Sequence, residues 1–116
     1  MDMRFEQGDG IGVVHVNETR IDAGVAIQFK DEFRTLVGDG PDPVVLDLSR
    51  VEFLDSSGLG AVVAARKLLG KDRVMALSGL LPAVDKVMTL TRMNTVFPIF
   101  ADIDAALAAH VRDTAG

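Results

Sequence analysis

The chain has 116 residues, 48% of them hydrophobic and 25% charged, with no cysteine and a formal net charge of −5. That length suits one domain able to bury about two thirds of its unfolded surface. The composition excludes thiolate and disulfide chemistry and offers no run near the ~20 apolar residues of a membrane helix. Its acidic surface repels phosphate backbones and anionic membranes, so a protein partner is expected rather than nucleic acid or a membrane.

The opening MDMRFEQGDG lacks the basic-then-apolar order of an export signal, and a cytoplasmic location is expected. Residues 3–7 and 11–17 read as two short strands around the turn Gly8-Asp9-Gly10, a hairpin pattern. From Asp22 the period changes. Val25, Phe29, Phe33 and Leu36 recur on one helical face, which Gly38-Asp39-Gly40-Pro41 terminates. VVLDLS at 44–49 is a continuous apolar strand of the kind covered on both sides. A helix follows from about Ser57 to Leu69, then a strand at 74–77. Pro82 opens a further helix with the stripe Val84, Val87, Met88 and Thr91. VFPIF at 96–100 reads as a last strand, placed on an edge or made irregular by Pro98. Ile103, Ala106, Leu107 and His110 or Val111 form the face of a final helix. Strands alternating with helices predict a single α/β domain: a mixed sheet of four or five strands, the N-terminal pair antiparallel, with helices packed on it. The expected core includes Phe29, Phe33, Val45, Leu46, Leu48, Phe53, Leu59, Val62, Val63 and Val87.

The hinge Asp55-Ser56-Ser57-Gly58, between an apolar run and an Ala/Val-rich helix, carries most of the functional information. Helix capping explains it simply, because Asp and Ser oxygens accept from the unpaired N–H groups of a first turn. A nucleophile elbow fails. Leu54 or Asp55 stands where Gly-x-Ser-x-Gly needs its first glycine, and neither His15 nor His110 falls in an arrangement that would activate a serine. No catalytic residue is therefore expected. A phosphate-binding loop fails as well, since Gly58 and Gly60 stand alone without a Gly-Lys-Ser/Thr. No cluster supports a metal, and no cofactor is expected. A phosphoacceptor remains physically attractive. A phosphate at a helix N-terminus meets free N–H groups and the positive end of the helix dipole, adding nearly two charges without unfolding the helix.

Val44-Val45-Leu46-Asp47-Leu48 and then Val51-Glu52-Phe53-Leu54-Asp55-Ser56-Ser57-Gly58-Leu59-Gly60 resemble the signature of the STAS domain, specifically of the bacterial anti-sigma-factor antagonists. Ile21-Asp22 before the first helix and Leu77 with Leu81-Pro82-Ala83-Val84 extend the resemblance along the chain, while Thr19-Arg20 and Met93-Asn94 depart from the family's usual loops. The resemblance implies a STAS domain over 1–112 with a frayed tail at 113–116. It implies that Ser56 is phosphorylated by an anti-sigma factor with ATP-dependent serine kinase activity, and it leaves room for a serine phosphatase. The unphosphorylated protein would bind that kinase and release a sigma factor, and phosphorylation would weaken the complex. The switch surface is expected to comprise Asp22, Ile27, Asp55, Ser56, Ser57 and Gly58. Asp22 reads as a cap, Asp55 as both cap and functional group, and Ile27 as an apolar residue off its helix's buried stripe. Two other functions fit less of the sequence: a non-phosphorylated STAS subunit of a transport ATPase, and a phosphorelay receiver with Asp55 as acceptor. The second lacks the acidic pair and the lysine that such receivers need.

Overall fold

The computed structural model describes residues 1–115, with side chains through His110. Strands β1 (Met3–Gly8) and β2 (Ile11–Val16) form the expected hairpin. Asp9 (φ 54°) and Gly10 (φ 77°) supply the two left-handed residues that a tight turn between right-twisted strands demands. The two-residue β3 (Arg20–Ile21) precedes α1 (Ala26–Val37). Next come β4 (Val44–Asp47), the two-residue β5 (Phe53–Leu54), α2 (Ser56–Leu69) and β6 (Met75–Ser78). Helix α3 (Pro82–Leu90), a 3-10 turn (Met93–Thr95), β7 (Ile99–Phe100) and α4 (Ile103–Ala115) complete the chain. The main sheet has the order β1-β2-β4-β6-β7, antiparallel only in its first pair, and β3 pairs with β5 in a small parallel ladder of its own.

The central strands are apolar on both sides because both sides are covered. Val14, Val16, Val44, Leu46, Met75 and Leu77 face the larger core layer under α1, α2 and α3, while Ile11, Val13, Val45 and Ala76 meet Ala106 of α4 on the other face. Helix α1 buries Phe29, Phe33 and Val37 at four-residue spacing, with the two rings 6.0 Å apart. Helix α2 turns Gly58, Ala61, Val62 and Ala65 inward, so its backbone lies close to its neighbours. Among the described residues, Arg73 is the one cation held inside. Its guanidinium donates to the carbonyls of Gly38 (2.9 Å) and Val37 (3.2 Å), acceptors that the end of α1 leaves unpaired, and to that of Asp42 (2.6 Å) in the loop before β4.

Several expectations are corrected. Phe53 is 44% exposed and is not core: β5 turns Leu54 inward and Phe53 outward, where the Arg20 guanidinium carbon sits 4.8 Å over its ring. Leu59, Val63 and Val87 are half-buried at the margin of the larger core, which also takes in Ile21, Val51 and Phe97, residues outside the expected set. The run 96–100 is strand only at Ile99–Phe100; Pro98 accepts from the Leu77 N–H (2.8 Å) at the edge of the sheet, and Val96 follows the 3-10 turn. Helix α1 starts at Ala26, later than expected, with Val25 as its N-cap. Val111, expected on the buried face of α4, lies outside the residues whose side chains are described, as does the tail expected at 113–116.

Candidate functional site

The carboxyl ends of β3 and β5 run side by side and deliver two helices to one place. Asp55 follows β5 in extended conformation (φ −91°, ψ −176°) and caps α2, its Oδ1 accepting from the Gly58 N–H at 2.7 Å. Its second oxygen accepts from the Ala23 N–H at 3.2 Å, in the loop leading to α1. One carboxylate therefore ties together segments 32 residues apart. Both of its oxygens are already engaged.

Asp22 lies in that same loop, but it does not cap α1. Its Oδ1 accepts from the Gly24 N–H at 3.0 Å, an Asx turn, and its Oδ2 faces the Arg20 Nε at 3.2 Å. The chain Phe53–Arg20–Asp22 thus borders the site on its outer side, with the arginine sandwiched between an aromatic face and a carboxylate. Nothing in the local pattern singled out Arg20 or the exposure of Phe53. The usable signal was that a two-residue strand can bury only one of its two side chains.

Gly58 is buried beneath this surface, and its role there is packing. A Cβ on it would lie 1.9 Å from the Ile21 carbonyl oxygen and 2.9 Å from a Leu54 methyl, so only hydrogen lets α2 approach β3 this closely. Ser56 and Ser57 occupy the first two positions of α2, both exposed, and neither hydroxyl has a hydrogen-bond partner among the described residues. Asp22, Asp55, Ser56, Ser57 and Gly58 are therefore gathered in one cluster. Ile27, 69% exposed, is instead placed among Lys30, Ala64 and Leu68 on the flank formed by α1 and α2.

The two imidazoles stand elsewhere. His15 shares the alternation of Ile11 and Val13, so it faces the α4 side of the sheet, across from Ser56. There its Nδ1 meets Asp47 Oδ2 at 2.8 Å and its Nε2 lies 3.7 Å from Glu6. Burial pushes the Asp47 carboxyl upward, but the Ser49 N–H at 3.0 Å and the His15 ring outweigh it and hold the group below the usual carboxylate value. His110 Nε2 lies 3.3 Å from the Asp9 carbonyl oxygen, beside the hairpin turn. Neither ring is aimed at the serines. Among the described residues no group of three or more His, Cys, Asp or Glu side chains could hold a metal ion, and no helix is long and apolar enough to cross a membrane.

Comparison with known proteins gives this geometry a context. Residues 2–106 match the family described as the STAS domain. A Bordetella bronchiseptica protein bearing the name anti-sigma factor antagonist BtrV is 31% identical over 90 residues, covering 77% of this chain and 78% of its own. A crystal structure of an anti-sigma factor antagonist from Mycobacterium paratuberculosis superposes with a TM-score of 0.83 at 34% identity, over 93% of this chain and 92% of its own. An anti-sigma-factor antagonist (STAS) domain protein from Planctomyces limnophilus gives a TM-score of 0.84 at 26% identity, over 94% and 97%.

Proposed function

The chain belongs to the STAS domain family, and from that premise we propose that it is an anti-sigma-factor antagonist working as a phosphorylation-controlled binding switch. The observation that carries the reading is the Ser56 hydroxyl, exposed at the first position of α2 and without a hydrogen-bond partner among the described residues. Asp55 fixes the helix start from both sides, so the hydroxyl is presented on a rigid element and not on a free loop. A phosphoryl group on Ser56 sits against the positive end of the α2 dipole, near the first-turn amides that Asp55 leaves without a bond. The fold is then retained while the surface gains nearly two negative charges.

The partner is an anti-sigma factor with serine kinase activity. The unmodified surface binds it and frees a sigma factor, phosphorylation of Ser56 weakens the complex, and a serine phosphatase resets it; all of this takes place in the cytoplasm. The names of the relatives from Bordetella and Mycobacterium support the antagonist reading. Phosphorylation of Asp55 is disfavoured on geometric grounds, since it would displace one of the two hydrogen bonds that hold α2 in place. The test is to incubate the protein with its co-purifying anti-sigma factor and Mg-ATP, then read intact mass and map the modified residue. A single phosphate on Ser56, abolished in Ser56→Ala, is expected. Phosphate on Ser57 or Asp55 would overturn the assignment, and none at all would overturn the switch.

A further inference from the structure

Away from the sheet, α1 and α2 leave a shallow groove of about 370 Å³ between their outer faces. Ile27, Lys30 and Arg34 recur at three- and four-residue spacing along α1, and Ala64, Lys67 and Leu68 do the same on α2. Its lining mixes apolar and cationic side chains on both helices, with Ile27 69% and Leu68 38% exposed. Lys30, Arg34 and Lys67 form no ion pair among the described residues, and Asp31 is the only acidic residue in the lining. This concentration of unpaired positive charge stands out on a chain with 17 acidic and 12 basic residues.

We propose that this groove receives an acidic amphipathic helix of the partner protein, its apolar stripe on Ile27, Ala64 and Leu68 and its carboxylates against Lys30, Arg34 and Lys67. Two packed helices present ridges and a furrow that a third helix can enter, and apolar anchors at helical spacing are how such grooves are read. Charge selects the occupant. A second copy of this chain brings another net −5, and an anionic bilayer meets two apolar side chains inside an acidic whole. The inference rests on the reading of the chain as a binding switch and adds the chemistry of the element that docks on it. It also gives Ile27 a place in the interface separate from Ser56.

The test is a heteronuclear NMR titration of the full chain with a synthetic helical peptide of about 18 residues, roughly five turns, leucines on one face and glutamates on the other. Amide shifts should centre on 27–34 and 64–68. Affinity should fall about tenfold in Lys30→Glu/Lys67→Glu, and also when salt is raised from about 50 to about 500 mM, because exposed pairs are screened. Ile27→Ser should weaken binding with an unchanged thermal melt. Absence of shifts in the groove would overturn the proposal, as would equal binding by the same peptide with lysines for glutamates. Shifts produced by phosphatidylglycerol vesicles but not by the peptide would overturn it in favour of a membrane, and concentration-dependent shifts without peptide in favour of self-association. The peptide is no kinase and does not touch Ser56, so a failed titration leaves the phosphotransfer test standing, and a failed phosphotransfer leaves the titration standing.

Discussion

Substituting Gly58 by alanine adds one methyl group at the tightest point of the fold. The new Cβ would stand 1.9 Å from the Ile21 carbonyl oxygen and 2.8 Å from its carbon, against an ordinary contact distance above about 3.4 Å. The obstacle is backbone, so no rotamer change relieves it. Helix α2 must move away from β3 by more than about 1 Å, stretching the Asp55–Ala23 hydrogen bond and opening the layer around Leu54. Overpacking of this kind costs roughly 1–3 kcal/mol or more, and loss of the hydrogen bond about 1 kcal/mol. The better helix propensity of alanine returns about 1 kcal/mol. The net expectation is a loss of about 1–3 kcal/mol, or about 5–15 °C in melting temperature for a domain of this size. Gly60 is the internal control: it lies in the same helix, and a Cβ there meets nothing within 4 Å. Gly60→Ala should therefore gain up to about 1 kcal/mol. Urea unfolding of the two variants beside the parent, with thermal melts, decides the matter. Equal stability of Gly58→Ala and the parent, or parallel shifts in both glycine variants, would refute the reasoning.

Three further outcomes are expected. Phosphorylated Ser56 should bind the anti-sigma factor about 2–5 kcal/mol more weakly than the unmodified protein, while Ser56→Ala retains affinity and all three forms melt within a few degrees; titration calorimetry beside melts reads both. Because the Asp47 carboxyl is held below its ordinary value in the fold, its contribution to stability is complete above the unfolded value near pH 4 and is lost as pH falls through the lower folded value. The stability gap between the parent and Asp47→Asn should accordingly narrow in urea titrations taken from pH 6 to pH 3. Arg73→Met should cost about 3 kcal/mol, since it leaves the carbonyls of Val37, Gly38 and Asp42 without their shared donor; Arg73→Lys should recover only part of that in the same urea experiment, lacking the planar fork.

Local pattern determined much of this protein. The two-sided apolar runs of β2, β4 and β6 dictate strands covered on both faces, and Asp9-Gly10 dictates a tight hairpin turn. Pro82 marks the start of α3, and Asp55 before a helix is a cap whose Gly58 partner lies three residues on. In each case the deciding interaction lies within a turn or two of chain, and sequence spacing reports it directly. The motif 55–58 was legible for the same reason. What tertiary structure alone decided depends on segments that are distant in sequence. The outward turn of Phe53 under Arg20, the second Asp55 bond to Ala23 and the Arg73 clamp on the end of α1 each join residues more than thirty positions apart. The need for glycine at 58 comes from a carbonyl on another strand, and the cationic groove exists only because α1 and α2 lie side by side. Periodicity says which face of an element is apolar, but not which neighbour that face meets or how closely. Those distances follow from packing the whole chain at once.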